Sequence, residues 1–437
     1  MKKFWAGVLI ILAAVIFIGT ISYTMRSERP VKLSTLPADA GFALTEVPTI
    51  IADNRILIMR DADLALQALP VSITAFVAPQ SPGSPHDYFS NADYYWPDPK
   101  APAVTASSSV PYVRIDGMID PANFEMHRMA LRQTRDNVAA LAAGYVLTRN
   151  DAYAAKAVQL LTVFFITPET RMNPSLEYAQ YVPGNVTGRS FGIIDGIHLV
   201  EIARSIERLH GAPSMSATTE SRLKRWFSDY TDWLTLSIAG RQAAATSNNH
   251  AVAYYMQLAE YAHLLNNKIL MDTVRDAFKR VLIPVQMATD GSFPAELSRT
   301  RPYNYSMFQL DNLATIAQLA TTEKDNLWRF RMKDGRGIKK AAAFMYPYIA
   351  DKTKWPYPPD TAVWDILPSR RPGLLFAGLG LNNEKYIILW DKLARSNNLE
   401  VRRNIAVTQP VLWLDLTPQI APSATATSTA ATSTIAH

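Results

Sequence analysis

The sequence predicts an all-α fold in which antiparallel helical hairpins pack into a ring or bundle. Three observations predict it. Apolar residues recur at helical spacing through most of residues 46–415. Connections between the periodic segments are modest, which makes successive helices antiparallel neighbours. Strand signals are few and short, 71–77 among them. Periodicity alone does not separate a toroid of hairpins from another large helical fold.

The helices follow in order. Residues 124–148 set Met129, Leu131, Val138, Leu141 and Val146 among alanines and charged residues. Residues 151–166 form a shorter partner, with Tyr153, Ala157, Leu160, Leu161 and Phe164 three or four apart. Further helices are predicted over 193–209, 218–238, 249–265, 268–287, 305–320, 337–349 and 383–394. Two stretches, 86–121 and 172–189, are dense in Pro, Tyr or Asn and break this rhythm. Long ordered loops on a helical scaffold usually carry function. The plainer alternative is a cover that never meets a ligand.

The ends read differently. Met1-Lys2-Lys3 is basic, and residues 4–25 carry no charge. At about 1.5 Å per residue that run spans about 33 Å as a helix, enough for a hydrocarbon core of about 30 Å. Residues 1–25 are therefore expected to be a signal anchor or signal peptide. Thr20-Ile21-Ser22 is a poor cleavage site, which favours the uncleaved anchor. The rest of the chain is expected outside the cytoplasm, periplasmic or extracellular. Residues 26–45 read as a stem, 46–415 as one catalytic domain, and 416–437 as a Ser/Thr/Ala tail without a core.

Composition excludes several chemistries. There is no cysteine, so disulfides, thiolate metal sites and cysteine nucleophiles are out. The seven histidines include no pair at ligand spacing on one helix, so neither a metal nor a cofactor is expected. Motifs for phosphate cradling, dinucleotide binding and serine nucleophiles are absent. Net charge is +6, which favours anionic partners. No basic run interleaved with aromatics appears, so nucleic acid is not expected. A monomer is expected.

Two segments hold the candidate chemistry. Ser247-Asn248-Asn249-His250 opens the 249–265 helix. Alone, its Asn residues read as helix caps and His250 as a structural histidine. The second runs from Glu296 through Arg299, Arg301 and Tyr303 to Tyr305, and alone it is a surface loop.

Together these segments resemble the alginate lyase family, with its Asn-His pair at a helix start followed by an Arg and a Tyr. Asn249-His250 matches the pair, and DGSFPAELSR places Arg299 in the arginine role. Tyr305 takes the tyrosine role because SMFQL follows it in register, with Tyr303 as the competitor. HDYFSNADYYWPDP, PYVRIDG and RMNPSLEYAQYVPG extend the resemblance, which covers about 85–365.

The resemblance implies an α/α toroid, an incomplete barrel of antiparallel helical hairpins with long ordered loops. It implies metal-independent β-elimination on a 1,4-linked uronic-acid polymer, mannuronate-rich alginate or glucuronan. Asn249, His250 and Arg299 would neutralise the C5 carboxylate, His250 as a protonated or donor group. Tyr305, made more acidic by nearby cations, would act as base and acid. Expected substrate contacts are Tyr94, Tyr95, Trp96, Arg114, Gln180, Arg189, Tyr254, Arg301 and Tyr303. The alternatives are an inactive glycan-binding surface protein and a glycoside hydrolase on the same fold.

Overall fold

The structure, a computed structural model, describes residues 47–100, 112–185 and 187–414. The anchor, stem and tail expectations for 1–25, 26–45 and 416–437 lie outside the described residues. Among the described residues no helix is long and apolar enough to cross a membrane.

The helices are α1 (Val47–Leu66), α2 (Met126–Thr148), α3 (Asp151–Phe165), α4 (Ile197–Arg208), α5 (Ala217–Leu236), α6 (Ile238–Ala244) and α7 (Asn249–Leu264). Then come α8 (Lys268–Ala277), α9 (Pro294–Leu297), α10 (Pro302–Ala320), α11 (Ile338–Ala350), α12 (Pro372–Leu381), α13 (Glu384–Lys392) and α14 (Leu399–Arg402). An inner row runs α2, α4, α7, α10, α12, each packed on the next. Outside it, α1 and α3 lie on α2, α8 on α7, α11 on α10 and α13 on α12.

Burial explains the layering. The inner helices α2 and α10 bury residues on all sides, as a helix surrounded by others must. Small side chains let neighbours approach: Ala139, Ala140, Ala142 and Ala143 are all buried on α2. Outer helices keep one polar face, and α5 buries only a stripe from Leu223 to Leu234. Side-chain caps start several of them. Asn150 accepts from Ala152 N, Ser216 from Thr219 N and Asn267 from Leu270 N.

The ring is open between α12 and α2, where polar side chains bridge the gap. Arg370 donates to Asn54 Oδ1 of α1 at 2.7 Å, and Arg395 to Asp61 Oδ2 at 2.7 Å. The C-terminal segment 403–414 fills the interior. Glu201 of α4, fully buried, accepts from Thr408 N and Gln409 N. Arg135 of α2 donates to Ile405 O and Ala406 O. Trp413 then lies between Arg204 of α4 and Phe376 of α12.

The observed elements differ from the expected ones at identifiable places. The 71–77 signal is no strand: it contains a 3-10 turn, Ile73–Ala75, pinned by buried Ile73. The 218–238 segment breaks at Ser237, whose hydroxyl caps α6 by accepting from Gly240 N. The 268–287 segment passes through a π turn at Phe278–Leu282. Pro284 follows it and has no N–H to donate to the preceding turn. Helices α1 and α12 were not among the expected elements. The two long loops pair with each other: β1 (Phe89–Asn91) lies parallel to Tyr178–Tyr181. Tyr95–Pro97 pairs antiparallel with Tyr112–Arg114.

Candidate active site

Four inner helices, α2, α4, α7 and α10, present their N-terminal ends to one cavity of about 460 Å³. Its wall takes Arg128 and Arg132 from α2, Phe191 to His198 from the entry of α4, Asn249 and His250 from α7, and Tyr305 from α10. The paired loops add Tyr94, Tyr95, Arg114, Gln180 and Arg189, and Arg299 comes from the turn before α10. Converging helix N-termini with six arginines make the cavity suited to anions.

Asn248 caps α7 and sets two functional neighbours. Its Oδ1 accepts from His250 N at 3.1 Å and meets His250 Nδ1 at 3.0 Å. A carboxamide oxygen only accepts, so Nδ1 carries the proton and Nε2 is bare. Burial first, then Arg299, Arg189 and Arg114, lower the His250 pKa to about 3. His250 is thus a neutral imidazole, which excludes the protonated one of the two forms the resemblance implied. Phe191 packs on it with ring centroids 4.6 Å apart.

Asn249 is held from behind. Glu296 of α9 accepts from Asn249 N at 2.8 Å and from Nδ2 at 2.6 Å. Burial raises the Glu296 pKa even against these bonds.

Arg299 is clamped by Asp116, a residue that sequence reasoning missed. Nε and Nη2 reach the carboxylate at 3.0 and 2.7 Å. Thr300 N and Oγ1 also donate to it, and Arg114 Nη2 lies 2.5 Å away. Burial acts against the charge, but the Arg299 bond and charge outweigh it and hold Asp116 at about 2. Gly117 makes this possible. It has φ 76°, and a Cβ there would sit 2.3 Å from Thr300 Oγ1.

Tyr305 lies beneath that cation, with Arg299 Cζ 4.6 Å from its ring centroid. Its hydroxyl is 2.5 Å from Tyr94 Oη. The expected acidification is not found. Burial and the Tyr94 phenol push the Tyr305 pKa well up, and Arg299 and Arg301 do not offset them. Tyr305 is therefore a protonated phenol at neutral pH.

Four expected contacts lie away from the cavity. Tyr303 is fully buried in the core, its hydroxyl donating to Tyr348 O at 3.0 Å. Tyr254, 6% exposed, packs edge-on against Tyr255. Arg301 is buried in bonds to Glu400 and Gly117 O. Trp96 donates to Met118 O and ties its loop down. Gln180 lines the cavity at φ 54°, holding Asp93 through Oε1 and Nε2. Arg189 stacks over Tyr95 and Phe191 at 4.5 and 4.6 Å.

Asp93, Asp116, Asn248 and Glu296 sit inside the sequence segments already singled out. Arg128, His198 and Arg403 carried no such signal. Among the described residues no acid and histidine cluster could hold a metal.

The comparisons fit this geometry. The sequence pattern of the alginate lyase family matches residues 72–355. The chain belongs to the alginate lyase family. Membership places it among the polysaccharide lyases. Solved structures similar to it include an alginate lyase from Bacteroides ovatus, with a TM-score of 0.71 and 27% identity. That likeness covers 85% of this chain and 97% of the other. No curated protein sequence matches the chain. In this family member the Asn-His pair, the arginine and the tyrosine converge from α7 and the turn into α10.

Proposed function

We propose that this alginate lyase family member cleaves a 1,4-linked uronan, mannuronate-rich alginate or glucuronan, by β-elimination without a metal. The observation that carries the reading is the joint placement of Asn249, His250, Arg299 and Tyr305 on one cationic cavity. The uronate carboxylate beside C5 must lose its negative character as the C5–H bond breaks. Arg299 and the Asn249 amide supply donors for it. The C5 proton leaves to a base, the C4–O4 bond breaks, a C4=C5 double bond forms, and O4 takes a proton from an acid.

Tyr305 suits the acid role, since its phenol is protonated and buried. In mannuronate and glucuronate the C5 hydrogen and O4 lie on the same side, so one tyrosine can serve both steps. It must then first surrender its own proton to solvent water, leaving a phenolate that takes the C5 proton and passes it to O4. The Tyr94 hydroxyl at 2.5 Å and the Arg299 charge over its ring would stabilise that phenolate.

A second reading rests on His250. Its unprotonated Nε2 makes it a ready base, with Tyr305 as the acid. Two separate groups suit guluronate, where the hydrogen and O4 are anti. The protein is anchored outside the cytoplasm or secreted in this proposal, where such polymers occur.

Incubation with polymannuronate, glucuronan and polyguluronate, followed by ultraviolet absorbance of the conjugated product, tests the reading. Turnover of either of the first two, nearly abolished in Tyr305→Phe, is expected. Turnover of polyguluronate alone would move the base to His250. No absorbance on any uronan would sink the proposal.

A further inference from the structure

Tyr305 stands in the first turn of a helix that has no cap of its own. Pro302 opens α10, and the Arg301 side chain before it makes no capping bond. The first N–H groups of the turn belong to Tyr303 and Asn304, both fully buried. Buried N–H groups at a helix start need an acceptor. Asp360, far along the chain, supplies it. Its Oδ1 accepts from Tyr303 N and its Oδ2 from Asn304 N, each at 2.9 Å. A carboxylate makes stronger bonds to such groups than a neutral cap does, and its charge suits the helix N-terminus.

The segment around Asp360 is fastened on both sides of the reacting groups. Thr361 N donates to Thr300 O at 3.0 Å, beside Arg299. Arg371 Nη2 donates to Asn304 Oδ1 at 2.6 Å. Trp355 and Trp364, before and after Asp360, pack edge-on against Tyr303 with centroids 5.1 and 5.5 Å away. Val363 is held at φ 58°. A β-branched residue is strained there, and such strain persists only where surrounding contacts over-determine the backbone. Asp360 is itself buried and is not part of the cavity wall. It also lies past the matched stretch 72–355.

We propose that Asp360 is a positioning residue for the elimination, holding the first turn of α10 so that the Tyr305 phenol meets the C5 proton and O4 of the bound sugar. The inference rests on the uronan reading. Without the carboxylate, two buried N–H groups lose their acceptor, and the turn must shift to find another. Tyr305 follows Asn304 directly, so its hydroxyl moves with the turn, away from its contacts with Arg299 and Tyr94. A displacement of about 1 Å at a reacting group costs on the order of 10²-fold in rate. Substrate binding depends less on this turn. Asp116 clamps Arg299 independently, and Glu296 holds Asn249. Loss of Asp360 therefore lowers kcat and spares KM.

The test measures kcat and KM of Asp360→Ala and Asp360→Asn in the full chain, on whichever uronan the wild type cleaves, beside melting curves. Asp360→Ala should lower kcat about 100-fold. Asp360→Asn keeps one accepting oxygen and turns a donor toward the other N–H, so it should recover part of the rate, to about tenfold below wild type. KM should stay within about threefold in both. Tyr303→Phe removes a different hydrogen bond from the same turn. It should lower the melting temperature and leave kcat unchanged, which separates positioning from mere stability. Wild-type kcat in folded Asp360→Asn overturns the proposal, and so does a raised KM with unchanged kcat. Should Asp360→Ala not fold, Asp360→Asn decides. If the wild type cleaves no uronan, the lyase reading fails separately. The fluorine resonance of 3-fluorotyrosine placed at position 305 then still decides whether Asp360 sets that ring. It should shift or split in Asp360→Asn, and an unchanged resonance overturns the proposal.

Discussion

Two tyrosines two residues apart have opposite fates. Tyr305 faces the cavity, while Tyr303 is sealed in the core against Trp355 and Trp364. Tyr305→Phe should cut kcat by roughly 10²–10⁴-fold, the usual worth of a placed proton donor. Tyr303→Phe loses a buried hydrogen bond to Tyr348 O. It should cost about 1 kcal/mol of stability and leave kcat near wild type. Equal losses of activity, measured beside melting curves, would erase the distinction. Sequence spacing could not separate the two, because both open the same helix and only the ring around them tells them apart.

His250 sets the expected pH dependence at the same scale. Its pKa is lowered from 6.5 to about 3, so Nε2 stays bare until the pH falls toward 3. The acid limb of kcat/KM should therefore lie below pH 5, not near 6.5. The unfolded chain takes this proton first, so stability falls as pH drops from 6.5 toward 3. An acid limb between pH 6 and 7 would show that His250 is not buried as described. Environment chose between the protonated and neutral forms that the sequence left open. Its identity was legible, but its charge state depends on Arg114, Arg189 and Arg299 arriving from distant segments.

Helices and loops position these groups. Asn248 both caps α7 and accepts from the His250 ring, so Asn248→Ala should do two kinds of harm. The cap accounts for about 1 kcal/mol of stability. The freed imidazole should lower kcat well beyond what the lost stability explains. Asn248→Asp keeps an accepting oxygen and should restore most of the stability. A variant Asn248→Ala with wild-type kcat would show that the contact does not orient His250. The helix was legible from its apolar period and its asparagine start. The loop pairing was not, because β1 and its partner lie about ninety residues apart, and short strands in Pro-rich loops leave little periodicity. The break at Phe278–Leu282 was readable in principle from Pro284.

At the scale of the molecule, the C-terminal segment is part of the core. Glu201 and Arg135 are buried and take their partners from residues 405–409. Removing residues 1–30 and 421–437 should leave a helical protein with one cooperative melt. Ending the chain at 404 should abolish that melt, because it takes the backbone partners from the buried Arg135–Glu201 pair and removes Trp413. A cooperative melt in the shorter protein would contradict the account of the ring interior. The all-helical class was legible because apolar spacing is local. The closed-off interior was not, since it depends on a terminal segment meeting α2 and α4 far back in sequence. α12 escaped notice because its Gly-Leu-Leu-Phe-Ala-Gly run is buried all round and shows no polar face.

The central claim is that the cavity breaks the glycosidic linkage by elimination. New reducing ends and new conjugated double bonds, counted in the same digest of polymannuronate or glucuronan, test it most directly. Each elimination yields one of both, so the account predicts a ratio near one, unaffected by exhaustive chelation. Reducing ends accumulating without double bonds would mean hydrolysis and would contradict it.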